Sequence, residues 1–370
     1  MKGLQSITKT TLMGPGPSCV HPKVYEALAI PTIGHLDPRF INIMDEIKVM
    51  LRKVMGTNNE ITLPMSGTGS AGMEAAFVNL VERGDKVLVL VNGVFGKRMA
   101  EVARRLGAEV EECEFTWGTP VDPEIAAKKI REKKWHIVAV VHAETSTGVR
   151  NPVEIIGPMV RESGALYIVD AVTSLGGIPV EVDVIGADLC YSGTQKCLSC
   201  PPGLAPLTIG ERGITKIQNR TYKVPNWYLD LSMIMDYWQG AKRAYHHTAP
   251  INMLYALHAA LSLLLEEGLE NSYERHQKMH QRLVKGLTEL GLELTVPEPY
   301  RLPMLNAVNV PEGVDEGAVR RALLESYNIE IGAGLGPLAG KIWRIGLMGY
   351  TAQTENVDKV LAALKAILKR

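Results

Sequence analysis

Apolar and polar positions along the chain fall into two textures. Between residues 61 and 207, short apolar runs separate longer amphipathic stretches. The runs at 61–65, 87–91, 137–141, 166–169 and 189–191 have the length and β-branched content of buried strands. The stretches 73–82, 97–106, 123–132 and 155–163 place apolar residues at helical spacing. Strands alternating with helices predict right-handed crossovers and a mostly parallel sheet covered on both faces. The texture then changes: residues 224–239 are rich in Trp, Tyr and Met, and residues 251–267 predict a long helix that leads away from the first unit. Beyond about Gly268 the order becomes helix (270–290), strand (292–296), strand (307–310), helix (316–327), strand (341–346) and helix (354–368), a smaller α+β unit with loops punctuated by Pro297, Pro299, Pro303 and Pro311.

Length agrees with two packed units, because 370 residues exceed what a single core usually supports. Lys plus Arg and Asp plus Glu are both 40, so no net field favours nucleic acid or an anionic membrane. No run approaches the ~18 apolar residues of a membrane span, and residues 1–8 lack the apolar region of a signal peptide. The five cysteines are odd in number and scattered, which argues against a disulfide framework and favours a reducing compartment. A cytoplasmic protein is expected.

Candidate chemistry gathers at the ends of the strand-like runs. Leu166-Tyr167-Ile168-Val169 ends in Asp170, and the run at 189–191 leads through Ser192-Gly193-Thr194-Gln195 to Lys196, 26 positions later. A carboxylate and an amine at neighbouring strand ends suit a site on the carboxyl edge of a parallel sheet. A Schiff-base lysine and a carboxylate partner for a pyridinium nitrogen are what pyridoxal 5'-phosphate (PLP) requires. Read singly, Asp170 also fits a turn cap and Lys196 a solvated side chain.

Ser66-Gly67-Thr68-Gly69-Ser70-Ala71-Gly72 follows an apolar run and opens a helix, so its amides can cradle a phosphate. The same residues satisfy the dinucleotide pattern G-x-G-x-x-G, which wants an acid at the end of the next strand. That strand ends in Val91-Asn92-Gly93, which weakens a nicotinamide-dependent oxidoreductase. A third strand end, His142-Ala143-Glu144-Thr145-Ser146-Thr147-Gly148, offers hydroxyls for a phenolic oxygen or for a local cap. Cys197 and Cys200 lack two further ligands at metal spacing, so they read as small wall residues and no metal is expected. His276 and His280, without the glutamate of a zinc protease between them, read as a solvated helix face. Arg344, inside the apolar Ile342-Trp343-Arg344-Ile345-Gly346, needs a partner, either a substrate carboxylate or an internal ion pair.

The order of these features resembles the class V, fold-type I PLP enzymes, and within them the alanine:glyoxylate and serine:pyruvate aminotransferases. Tyr191-Ser192-Gly193-Thr194-Gln195-Lys196, Tyr245-His246-His247-Thr248, Gly334-Leu335-Gly336-Pro337 and Trp343-Arg344-Ile345-Gly346-Leu347 carry the resemblance most specifically. It implies an α/β fold with a large domain, a mostly parallel seven-stranded sheet covered by helices, over residues 20–255. Residues 1–19 and 256–370 would form a smaller α+β domain. It implies that Lys196 holds the cofactor aldehyde and moves the proton, and that Asp170 pairs with the pyridine nitrogen. Thr68, Gly69, Ser70 and Gln195 would hold the phosphate, Thr145 the phenolic oxygen, and Arg344 the substrate α-carboxylate. Tyr245 and Thr248 would reach the phosphate in a neighbouring subunit, so a homodimer with shared sites follows. Phe95 stands where close relatives stack tryptophan on the ring, a smaller platform without an N–H donor. The implied reaction moves an amino group from alanine or serine to glyoxylate or pyruvate in two half-reactions through a pyridoxamine form. Transaminases acting on 2-aminoethylphosphonate, kynurenine or ureidoglycine are the alternatives. Cysteine desulfurase lacks support because no cysteine follows Cys200.

Overall fold

The computed structural model describes residues 2–5, 7–240 and 243–369. Met1 and Ser6, at the front of the expected small domain, and Arg370, at its end, lie outside the described residues. Seven strands form the main sheet: β1 (Ile61–Ser66), β2 (Lys86–Val91), β3 (Glu109–Glu114), β4 (Ile137–Val141), β5 (Leu166–Asp170), β6 (Leu189–Tyr191) and β7 (Leu204–Ile209). Their order across the sheet is β1-β7-β6-β5-β4-β2-β3, with β7 antiparallel to both neighbours and the other pairs parallel. The inner strands β4 and β5 are almost wholly buried, as apolar runs covered on both faces should be.

Three elements of this layer have no counterpart in the strand and helix pattern read above. The edge strand β3 carries Glu109, Glu111, Glu112 and Glu114, and Lys97, Arg104, Lys129 and Lys133 pair with three of them. Its charges suit an exposed edge and hide it from a search for apolar runs. Strand β7 contains Pro206, which sits opposite Pro64 of β1. Helix α1 (Pro38–Met55) starts with the Asp37 carboxylate accepting the Arg39 N–H, has Pro38 in its first turn, and ends at Gly56 with φ 58°. It buries Phe40, Met44, Ile47, Leu51 and Val54, a stripe at i, i+4, i+7, i+11 and i+14.

The second sheet has three antiparallel strands, with β10 (Ile342–Gly346) between β8 (Leu305–Asn309) and β9 (Gly332–Ala333). Residues 292–296 do not form the expected strand. Leu294 makes one isolated bridge to Val308, and Thr295 N–H donates to the Ala307 carbonyl. Pro297 follows at once and ends the pairing, since it has no N–H to give. Thr11–Leu12 pairs in parallel with Ile329–Glu330, and Gly346 N–H donates to the Met13 carbonyl, so residues 11–13 are stitched to the C-terminal part of the chain.

One apolar cluster spans residues from Val24 to Leu264, and another joins Met13 to residues between Leu283 and Leu364. The helix Ile251–Glu267 gives Leu254, Leu257, Leu261 and Leu264 to the first cluster. We therefore propose that the large domain runs to about Gly268 rather than ending at 255. Helix α2 (Leu269–Glu289) corrects another expectation: His276 and His280 are buried, not solvated. They continue the stripe of Leu283 and Leu287 at i, i+4, i+7 and i+11. The His276 ring donates from Nδ1 to the Ser272 carbonyl (2.7 Å) and accepts the Gly349 N–H at Nε2 (2.9 Å), which satisfies both nitrogens inside the protein. Among the described residues no helix is long and apolar enough to cross a membrane.

Candidate active site

The carboxyl ends of β1, β2, β4, β5 and β6 share one edge of the sheet, and the sequence candidates collect there. Ser66 ends β1, and Gly67 follows with φ 142°, a conformation only glycine adopts readily. The chain then turns into the helix Gly69–Leu80, whose N-cap Thr68 makes no side-chain capping bond. Thr68 and Ser70 are exposed while Gly69 is buried against Gly193: a Cβ on Gly69 would stand 3.5 Å from the Gly193 Cα. The free Thr68 hydroxyl, the open Gly69 and Ser70 amides and the positive end of the helix dipole form an anion cradle. Gln195 lies in the segment that packs against it, and its buried Oε1 has no hydrogen-bond partner.

Asp170 ends β5 between Val141 of β4 and Tyr191 of β6. Its carboxylate is buried, accepts the Val172 N–H at 2.8 Å, and has no cation within ion-pair distance among the described residues. Burial pushes its pKa up to about 6, against the pull of the Val172 amide. Lys196 is buried as well, and burial, helped by the Arg344 charge, holds its amine down to about 8. In the absence of another partner Nζ donates to the Pro15 carbonyl. A Cβ on Gly16, where φ is 104°, would sit 2.7 Å from Lys196 Nζ, so the segment carrying Pro15 and Gly16 lies directly over the amine. Ser18 fixes that segment: its N–H donates to the Gln195 carbonyl (3.0 Å) and its hydroxyl to the Lys196 carbonyl (2.7 Å).

Thr145 and Arg344 meet from the two sheets. The Arg344 guanidinium donates from Nη1 to the Thr145 carbonyl (3.0 Å) and from Nε to the Ala333 carbonyl (2.7 Å). No carboxylate lies within ion-pair distance of it among the described residues, so backbone carbonyls take the place of the internal ion pair that the sequence left open. Burial lowers its pKa to about 10. The Thr145 hydroxyl shares a 2.5 Å hydrogen bond with Thr173, a site neighbour that no sequence signal marked. Phe95, half-buried, lies in the first turn of the helix Val94–Arg105, with the Arg98 guanidinium 4.9 Å from its ring centroid.

The structure leaves two candidates outside this cluster. Tyr245 is 60 % exposed, and its hydroxyl is 3.2 Å from that of Thr248, also exposed. The intervening His247 ties the segment to the anion cradle through Ser66 Oγ (2.7 Å). Three buried groups were missed by sequence reasoning: Glu144, Thr173 and His142. Both ring nitrogens of His142 lack partners, and burial holds its pKa down to about 3. Glu144 had a signal of the kind that marked Arg344, a charge amid apolar and small residues at a strand end.

An amine next to neutrality, a carboxylate without a cation, an open anion cradle and an aromatic platform form a donor set suited to a phosphorylated pyridine aldehyde. Residues 23–360 match the family model described as aminotransferase class-V. The chain belongs to the class V aminotransferases. It is 43 % identical to the (S)-ureidoglycine--glyoxylate transaminase of Bacillus subtilis (strain 168), over 97 % of this chain and 91 % of the relative. It is 40 % identical to the alanine--glyoxylate aminotransferase of Rattus norvegicus, over 98 % and 89 %. The crystal structure of an alanine--glyoxylate aminotransferase from Nostoc sp. superposes with a TM-score of 0.97 at 49 % identity, covering 98 % of this chain and 96 % of that one. The cofactor of this class V aminotransferase is PLP. Its fold is the α/β fold-type I arrangement, a seven-stranded mostly parallel sheet with a small C-terminal antiparallel sheet.

Proposed function

We propose that this aminotransferase moves the amino group of a small amino acid, alanine or serine, to glyoxylate in two half-reactions. The observation that carries the reading is the pairing on one sheet edge of Lys196, a buried amine held at about 8, with Asp170, a buried carboxylate lacking a protein cation. Glyoxylate is favoured over pyruvate as acceptor because the names of the Bacillus subtilis and rat relatives both contain it. Those names differ in the donor, and the 43 % identity to the Bacillus subtilis protein supports ureidoglycine as a second donor reading.

Bound PLP supplies an aldehyde that condenses with an amine and a ring that takes up the electron pair left when the substrate Cα–H bond breaks. In this reading Thr68, Gly69, Ser70 and Gln195 hold the phosphate and Phe95 stacks on the ring. Asp170 keeps a proton on the pyridine nitrogen, and that cation is what its buried charge lacks in the protein alone. Thr145 hydrogen-bonds the phenolic oxygen. Arg344, already oriented by two backbone carbonyls, grips the substrate α-carboxylate. Lys196 Nζ takes the proton from the substrate Cα, beneath the segment of Pro15 and Gly16 that keeps water away. Tyr245 and Thr248, which face outward in one chain, contact the phosphate in the partner subunit of a homodimer.

A half-reaction screen tests this directly. Each amino acid is added to the PLP-loaded protein while its visible band is followed, and each oxo acid is then tried for restoring the band. Alanine or serine should discharge the band and glyoxylate should restore it. A protein that acquires no visible band with PLP sinks the whole reading, while restoration by pyruvate and not glyoxylate sinks the acceptor assignment.

A further inference from the structure

We infer that Glu144 is the positioning residue that holds the Phe95 ring in the cofactor site, by capping from outside the helix on which Phe95 sits. The inference rests on the stacking role proposed for Phe95.

The helix Val94–Arg105 begins at Gly93, an N-cap residue with no side chain to offer. Among the described residues, four other helices start with an aspartate that caps its own first turn: Asp37, Asp122, Asp230 and Asp315. Here the cap is imported. Val94 N–H donates to Ser146 Oγ (2.9 Å), Gly96 N–H to Glu144 Oε2 (3.3 Å) and Phe95 N–H to Glu144 Oε1 (3.5 Å). Ser146 in turn donates to Glu144 Oε1 from its hydroxyl (2.5 Å) and its amide (3.1 Å). The first-turn amides that every helix leaves open are thus closed by a hairpin about 50 residues further on in sequence, in which Ala143–Glu144 pairs antiparallel with Val149–Arg150. A Cβ on Gly93 would stand 2.3 Å from Glu144 Cγ, so glycine at that position is the steric counterpart of the glutamate.

A local aspartate would cap the helix equally well but would leave its position relative to the hairpin free. The imported cap fixes that position. The hairpin also carries Thr145, whose hydroxyl is assigned to the phenolic oxygen and whose carbonyl orients Arg344. One carboxylate therefore sets the ring platform against the hydroxyl and the arginine. Glu144 is wholly buried with no cation in ion-pair distance among the described residues, an arrangement that costs free energy and is offset by the amides and the helix dipole.

The test is a double-mutant cycle on the full-length enzyme with Glu144→Gln and Phe95→Ala. It reads the PLP dissociation constant of the apoprotein, the visible circular dichroism of the bound cofactor, and the apoprotein melting temperature. Glu144→Gln should weaken PLP binding about tenfold and diminish the dichroism when Phe95 is present, but by less than about twofold in the Phe95→Ala background. Ser146→Ala, which loosens the same cap while keeping the charge, should show the same dependence on Phe95, so the cycle stays decisive if Glu144→Gln folds poorly. Equal losses with and without Phe95, or a lower melting temperature with unchanged affinity and dichroism, overturn the proposal alone. If Phe95→Ala itself changes neither affinity nor dichroism, the stacking assignment fails and the positioning role fails with it.

Discussion

The two edges of the seven-stranded sheet hold the same kinds of residue in opposite states. At the amino edge Asp188 is buried, but it accepts the Tyr167 N–H (2.8 Å) and faces the Arg212 guanidinium (3.3 Å). Lys216 reaches both Glu82 (3.0 Å) and Asp85 (3.3 Å). At the carboxyl edge Asp170 has only neutral partners and no cation, and Lys196 has a carbonyl and no carboxylate, among the described residues. Nearby, His142, Ser174 and Gln195 keep buried polar atoms without partners among the described residues. Unpaired buried groups cost free energy, so their concentration on one edge marks where a ligand completes the structure. The amino edge closes on itself and stabilises the fold.

Matched substitutions at the two edges sharpen or break this contrast. The largest effect is expected at the lysines. Lys196→Ala should lower turnover by a factor on the order of 10⁴ and abolish the visible band with PLP. Lys216→Ala should leave turnover close to normal and lower stability by no more than ~1 kcal/mol, read by denaturant titration. Comparable turnover losses at both would erase the distinction between the edges.

The aspartates come next. Asp170→Asn should reduce turnover roughly 10²–10³-fold yet raise the stability of the apoprotein. Its folded pKa of about 6 lies above the ordinary 3.8, so the carboxyl contributes stability below pH 3.8 and loses that contribution as pH rises through 6. Removing the charge at pH 8 should therefore return up to ~3 kcal/mol. Asp188 is also pushed above the ordinary carboxylate range by burial, but it keeps the Tyr167 N–H and the Arg212 guanidinium, so Asp188→Asn should gain less stability than Asp170→Asn, with PLP affinity unaltered. A less stable Asp170→Asn apoprotein would contradict the account of that buried charge.

The amine supplies a pH dependence. With Lys196 held at about 8, its neutral, nucleophilic fraction grows as pH rises, so the rate at which apoprotein takes up PLP should climb through a midpoint near 8. A midpoint near the ordinary lysine value of 10.5 would place the amine in water. The smallest effect is expected at the platform: Phe95→Trp should tighten PLP binding by ~0.5–1 kcal/mol, measured by titration of the apoprotein.

Much of this was legible in the chain because near neighbours carry it. Alternating apolar runs marked β1, β2, β4, β5 and β6, and the Ser-Gly-Thr-Gln-Lys segment and Asp170 were placed at strand ends correctly. Elements stabilised by long-range pairing were not legible. The acidic edge strand β3 lacks an apolar signature and β7 carries Pro206 in its middle, and His276 and His280 looked solvated because packing brings them their partners, Gly349 to His276 and Asn306 to His280. Glu144 stood in plain view between Ala143 and Thr145, yet only the tertiary structure shows that it closes a helix begun about 50 residues earlier.

The sequence by itself determined the strand–helix alternation, the glycine turns and the residue types at the strand ends, since periodicity and turn geometry act over a few residues. The tertiary structure alone decided which edge is satisfied and which is open, where Arg344 finds its carbonyls, and how far Lys196 and Asp170 depart from their ordinary acidities. Those properties follow from desolvation and from partners distant in sequence, and neither exists until the chain has packed.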